Sequence, residues 1–307
     1  MRALLIKLPM ISLSIALIGK GLTQLRNGSP YSALWWDETL MSPLLSTFGY
    51  SWVEYADSPM IEHILSIVER GLCWTLITFG MCIVPLLIVS DQQMTDGSST
   101  DHPVRVQLIK KSVLWFLLLL LSFQVMCQSL DQRMQIAVIC EGAVFVSLPL
   151  LCHSWDLTHR INMGVIALIG TFLGHGWFAL NLGARPADFV TMSTSILSLS
   201  EANAHVMLVL FGLIDVAVSM LIIPVLFGQC TMSIRRSLIY MSIWGALTAA
   251  ARLVGHHHLY YDWATLLLAW GPEVLWRLPH GLIPLWIYYM LIDDLSNHRT
   301  SHHTPTR

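Results

Sequence analysis

Eight mostly apolar stretches, each at least eighteen residues long, follow one another through this 307-residue chain. A helix crosses the hydrocarbon of a bilayer with about 20 apolar residues, within a range of about 17–25. Inside hydrocarbon every backbone N–H and C=O must pair within its own segment, so such stretches become helices. The runs lie at 8–26, 62–89, 112–129, 134–152, 161–181, 204–228, 237–254 and 264–292. The expected fold class is all-α: a polytopic membrane bundle of about eight transmembrane helices. The partner implied first is the lipid bilayer. Charged residues make up only 12% of the chain, against about 25% in an ordinary soluble protein. Twelve Trp and eight Tyr suit the aromatic belts at the two membrane faces. The net charge of −2 comes without clustered Lys and Arg, so no nucleic-acid partner is expected.

The charges inside these stretches are the best pointer to function. Lys20, Glu69, Arg70, Glu141, His175, Asp215, Glu273 and Arg277 all fall among Leu, Ile, Val, Phe and Trp. A charge at the centre of a membrane helix costs about 2.5–3.5 kcal/mol by the lower scales, so such groups face a bundle interior, a partner or water. At 1.5 Å of rise per residue, Lys20, Glu69, Arg70, Glu141 and His175 lie roughly 9–12 Å below the outer surface. Asp215 and Arg277 lie deeper. One layer of charges from several helices implies an outward-open polar pocket. Glu273 and Arg277 are spaced i, i+4 with the acid first, the favourable order for a helical ion pair. Glu69 and Arg70 point about 100° apart along a helix of 3.6 residues per turn, so they should pair with other helices. Trp74, one turn on from Arg70, offers it a cation–π contact. A plainer reading is that the charges are interhelical pairs setting the register of the bundle. Lys20 could also snorkel to the interface.

Two features organise the chain. Lys and Arg in the connections number ten on the side of the N-terminus (Arg2, Lys7, Arg105, Lys110, Lys111, Arg160, Arg235, Arg236, Arg299, Arg307). On the other side they number four, Arg26, Arg133, Arg185 and Arg252. By the positive-inside rule both termini are cytoplasmic, as in a bacterial inner-membrane protein. Met1 to Lys7 and the run behind it form a retained first span, because no small-residue cleavage site follows. The connections 27–61 and 182–203 then lie outside, and either could fold over the membrane as a lid. A faint internal repeat also runs through the sequence. Ile15 to Gly19 recurs as Ile166 to Gly170, Lys110-Lys111-Ser112 matches Arg235-Arg236-Ser237, and Glu141 with Pro149-Leu150 matches Glu273 with Pro284-Leu285. The expected units are 1–156 and 157–307, and an even number of spans per unit makes them parallel repeats.

The remaining motifs carry less. His175 is flanked by Gly174 and Gly176, which allow close approach of backbone or ligand; a neutral imidazole suits proton transfer. A hydrogen-bonded core histidine fits equally. His256-His257-His258 reads as an interfacial turn, since consecutive residues cannot all face one metal. His298, His302 and His303 sit in a polar tail and are expected to be solvated. The six Cys include no C-x-x-C pair and read as packing residues. No metal site is expected. Pro272, Pro279 and Pro284 interrupt the last stretch, so it is bent, or preceded by an interfacial helix from Tyr260 to Trp270.

Ile169-Gly170 through His175-Gly176, the loop Pro186 to Phe189, Gly212 to Asp215 and Thr248 to Arg252 resemble motifs of the DoxX-like membrane proteins. The resemblance covers mainly 161–253. It implies a four-helix membrane unit and an association with quinone-linked or thiol-linked redox systems. Lys20-Gly21 stands where the family pattern would put His-Gly in the first half. The reading that follows is an outward-facing pocket binding a quinone or other lipid-soluble ligand. His175 would be the proton relay, Glu141, Asp215 and Glu273 its acid/base partners, and Lys20, Glu69, Arg70, Arg252 and Arg277 the ligand-binding groups. With no encoded electron carrier, a redox partner subunit would supply electrons. A small-solute or ion transporter and a membrane scaffold are the alternatives.

Overall fold

The computed structural model describes residues 5–95, 102–260 and 262–301. Arg2, Tyr261, His302, His303 and Arg307 lie outside them, as do the side chains of Arg105, His298 and Arg299. Among the described residues the chain is all-helical. Six helices are long and apolar enough to cross a membrane. Helix α1 is Leu8–Asn27; the short helices α2 (Ser32–Trp35), α3 (Glu38–Thr47) and α4 (Trp52–Ala56) follow outside the first span. Next come α5 (Pro59–Thr95), α6 (His102–Asp131), α7 (Ile136–Glu141), α8 (Ala143–Leu151) and α9 (Leu157–Ala179). The second half continues with α10 (Ala187–Leu197), α11 (Glu201–Ile222), α12 (Met232–Gly255), α13 (Trp263–Arg277) and α14 (Pro279–Ser301).

The fourth and eighth expected spans take a different form from the other six. The fourth is the pair α7–α8, joined at Gly142. The eighth is the pair α13–α14, joined at Leu278, because Pro279 has no N–H to continue the ladder. Tyr260 to Trp270 belongs partly to α13 rather than forming a separate interfacial helix.

Helix starts are written in side chains that take up otherwise unpaired backbone N–H groups. Asp156 accepts from His159 N at 2.7 Å, Ser200 from Asn203 N at 3.3 Å, Thr231 from Ile234 N at 3.4 Å and Asp262 from Thr265 N at 2.8 Å. These donors hold the Asp156 and Asp262 carboxyls below the usual carboxylate range, each with a backbone hydrogen bond as the main cause. The four caps open α9, α11, α12 and α13 in turn, so each marks where the chain re-enters the apolar layer.

Helix α1 packs against α5, α8, α13 and α14, and α9 packs against α7, α8, α11 and α14. One core runs through both halves, from Leu17 and Leu117 to Leu148, Leu168, Met241 and Trp286. Two pairs of glycines set how closely the helices approach. A Cβ on Gly19 would fall 2.7 Å from Pro272 O, 2.6 Å from Trp276 N and 2.8 Å from Leu275 Cβ. A Cβ on Gly174 would fall 2.7 Å from Ala137 O, 2.7 Å from Glu141 N and 3.1 Å from Cys140 Cβ. Each glycine thus meets the i carbonyl, the i+4 amide and the i+3 side chain of a neighbouring helix. Gly21 and Gly176 match in the same way, facing Cys73 O with Ile77 N on α5 and Gly212 O with Val216 N on α11.

Because the obstacles at Gly19 and Gly174 are backbone atoms, overpacking cannot be relieved by a rotamer change, and costs of about 1–3 kcal/mol or more follow. Gly19→Val and Gly174→Val should each lower the thermal unfolding midpoint in detergent. Gly71→Ala, inside α5 where a Cβ meets nothing within 4 Å, should not lower it, since Ala is the better helix former.

Candidate functional site

The glycine contacts bring α1 against α13 and α9 against α7, and the charges beside them meet between. Arg277, in the last turn of α13, donates through Nη1 to Glu141 Oε1 at 2.9 Å. Its Nε lies 3.7 Å from Glu273 Oε2, one turn back. The i, i+4 pair expected between Glu273 and Arg277 is therefore present, but the shorter bond runs to Glu141 on the other half. Glu273 is held in turn by Trp276, whose Nε1 donates to its Oε2 at 2.7 Å. His175 Nε2 lies 3.6 Å from the same Glu141 oxygen that Arg277 binds. The side chains of Glu141, Arg277, Glu273 and His175 are all 12–16% exposed.

Aromatic rings line this network. The Lys20 ammonium sits 4.0 Å from the Trp276 ring centroid, and the Arg277 guanidinium 4.4 Å from the same ring. An indole face attracts cations, most strongly where water is excluded. Lys20 also donates to Gln128 Oε1 at 3.3 Å, so it reaches into the bundle and does not snorkel outward. His280 on α14 stands perpendicular to His175 with ring centroids 5.4 Å apart, and Phe145 is 5.0 Å from His280. Above them, Phe189 of α10 stacks on His175 at 6.2 Å, and Asp188 lies 3.6 Å from Arg252. Helix α10 therefore covers the histidine and a buried arginine from the outside.

Lys20 and His175 occupy matching places. Each lies between the two glycines of its own motif, and Trp276 and Glu141 are the matching residues on the facing helix, by the contacts of Gly19 and Gly174. Lys20 stacks on Trp276 where His175 meets Glu141. A cavity of about 30 Å³ lies on the Lys20 side, bordered by Gln124, Gln128, Glu141, Phe145 and Trp276. That is room for one or two waters, and too little for a quinone ring.

Of the candidate residues, the structure gathers Lys20, Glu141, His175, Glu273 and Arg277 into one network, with Arg252 at its edge. It places the others elsewhere. Asp215 is 3% exposed and faces Tyr240, whose hydroxyl lies 3.5 Å from its Oδ1. Glu69 is half-buried on α5, outside the network. Arg70 is exposed, and among the described residues no cation–π contact joins it to Trp74. His256, 5% exposed, stacks on Trp270 at 3.6 Å, and its Nδ1 lies 2.7 Å from Arg252 O, as suits a turn. Sequence reasoning passed over His280, Trp276 and Gln128, and named Asp188 only as part of the 182–203 connection. The signal for His280 was present: His280-Gly281 repeats the His175-Gly176 dipeptide. Among the described residues no group of three His, Cys, Asp or Glu is placed to hold a metal ion.

No family model matches the chain, and neither a curated protein nor a solved structure matches it.

Removing one partner of a buried ion pair strands the other, at about 3–5 kcal/mol, whereas replacing both with apolar groups is often neutral. Arg277→Met should therefore destabilise the protein strongly. Glu141→Leu combined with Arg277→Met should lose much less than the sum of the two single changes. Unfolding in mixed micelles, run as a double-mutant cycle, measures this; additive losses would mean the pair is not coupled.

Proposed function

We propose that this chain is an integral membrane protein of two parallel four-helix units whose seam carries an outward-facing, proton-handling site for a lipid-soluble carrier of the quinone class. One observation carries the reading. The Glu141 carboxylate is bound at once by Arg277 from the second half and approached by His175, with His280 behind it. A carboxylate between a fixed cation and an imidazole can take a proton from the imidazole or return it, which is general acid–base work. His175 passes the proton, Glu141 receives it, and Arg277 with Glu273 holds the carboxylate in place. Arg252 and Lys20 supply the positive field that a reduced, anionic ring would need. Asp215, Glu69 and Arg70 take no part.

The two-unit architecture is supported by the matched contacts of Gly19 with Gly174 and of Gly21 with Gly176, and by the cyclic packing of four segments in each half. In this reading the kinked pairs α7–α8 and α13–α14 are the fourth segment of each unit, which brings the spans to eight. The Lys and Arg bias supports cytoplasmic termini and a bacterial inner membrane. The ring docks under α10, where Phe189 and Asp188 now rest on His175 and Arg252; the small cavity beside Lys20 admits only water. Electrons come from a partner subunit. The DoxX-like resemblance of His175-Gly176, Pro186 to Phe189 and Gly212 to Asp215 points to the same kind of system.

A transporter is the second reading. The observation in its favour is the kink at Leu278, between Arg277 and Pro279, a hinge placed beside the central cation.

Native mass spectrometry with lipid extraction, on protein purified in mild detergent, separates these. A stoichiometric quinone or isoprenoid should accompany the wild type and fall at least tenfold in His175→Ala, with Glu141→Gln retaining it but losing turnover. Ligand-free wild type would drop this reading below transport, and unchanged uptake in both variants would leave the network as a structural tie.

A further inference from the structure

We propose that the cavity beside Lys20 is a water site, and that its water joins the Lys20 ammonium to the Glu141 carboxylate. The inference rests on the proton-handling reading and adds to it a second basic group and the path that reaches it. Gln124, 2% exposed, borders the cavity with its Nε2 unpaired. A buried amide N–H of this kind takes a water wherever room exists. Lys20 has three N–H donors; one reaches Gln128 Oε1 at 3.3 Å, and the ammonium also faces the Trp276 ring. Glu141 borders the same cavity, with lone pairs beyond the one that Arg277 occupies.

The lining also selects among ligands. An anion would meet the Glu141 carboxylate on the cavity wall, and a cation would meet Lys20. A neutral donor–acceptor fits both, and about 30 Å³ limits it to one or two waters. Glu141 then lies between two basic groups in matching positions of the two halves: His175, reached directly at 3.6 Å, and Lys20, reached through water. A proton moves by hopping. An N–H bond of Lys20 breaks, an O–H bond forms on the water, the water's own proton passes to a Glu141 oxygen, and no electron moves.

The charged and titratable groups around Glu141 are His175 from α9, Arg277 and Glu273 from α13, His280 from α14, Lys20 from α1 and Arg252 from α12. Helix α6 contributes only the uncharged Gln124 and Gln128. Gln124→Leu therefore removes the water's anchor without altering any charge.

Radiolytic labelling in ¹⁸O water, read by mass spectrometry, tests the site, because radicals born in a buried water oxidise the side chains touching it. Phe145 and Trp276, 8% and 5% exposed, should carry ¹⁸O at several times the level of Trp286, which is 1% exposed and away from the cavity. Gln124→Leu, or Gln124→Met if the first variant fails to fold, should lower that labelling severalfold. In an infrared pH titration, the carboxyl band missing from Glu141→Gln should titrate at a shifted midpoint in the same variant. Phe145 and Trp276 labelled no more than Trp286, labelling unaffected by Gln124→Leu, or an unmoved midpoint would each overturn the proposal. Neither readout needs turnover or bound lipid. A failure of the quinone reading would leave these results standing, and a dry cavity would leave that reading untouched.

Discussion

A carboxylate and a guanidinium drawn into hydrocarbon are each expensive, and the bond between Glu141 and Arg277 is what makes their shared burial tolerable. The two residues are 136 positions apart, one at the end of α7 and the other at the end of α13. Their pairing fixes how the first half of the chain sits on the second. The surrounding arrangement follows from it. Glu273 supplies the negative charge that one carboxylate alone leaves unbalanced once Lys20 and Arg277 share the site. Trp276 both bonds Glu273 and offers its ring to the two cations. A buried pair is weak evidence for stability, since well-packed apolar residues often do as well.

Much of this was readable from residue order, and the limit of that reading is geometric. Counting residues from the end of an apolar run gives depth, and Lys20, Glu141 and His175, placed at one depth by that count, do come together in the structure. It gives no azimuth. Each residue turns a helix by about 100°, so two groups at equal depth face each other only if their helices are rotated to suit. Glu69 and Arg70 also miss the site along the helix: Gly21 meets α5 at Cys73 and Ile77, one to two turns past them, and Arg70 is exposed. Asp215 is buried between α11 and α12, facing Tyr240. Conversely, His280 drew no reading of its own from its place between Pro279 and Gly281, and only the packing of α14 against α9 brings it to His175.

One of the two helix breaks has a local cause that the sequence carries, and the other has a cause that only packing supplies. Pro279 removes a donor two residues after Arg277, whereas after Glu141 it is Thr171 of α9 that enters the ladder, its Oγ1 accepting from Val144 N at 3.1 Å and donating to Glu141 O at 3.2 Å. What composition alone hides is that both weak points fall at the same level and meet. A charged side chain leaving a helix at a kink has more freedom to turn toward a partner than one in a continuous helix. The Glu141–Arg277 bond uses that freedom on both sides.

The matched glycines sharpen what differs between the halves. Gly19 and Gly174 bring their helices to the same backbone distance from their neighbours, so shape imposes equal space on the residues that follow them. In one place that space holds an imidazole against a carboxylate. In the other it holds an ammonium against an indole, with a cavity beside it. Opposite Lys20 stands Trp276 instead of a carboxylate: a ring face stabilises a cation without carrying a charge of its own, and Glu273, bonded to the same indole, supplies the negative charge. Glu141 is thus approached from the second half by His175 and borders the cavity beside Lys20 from the first.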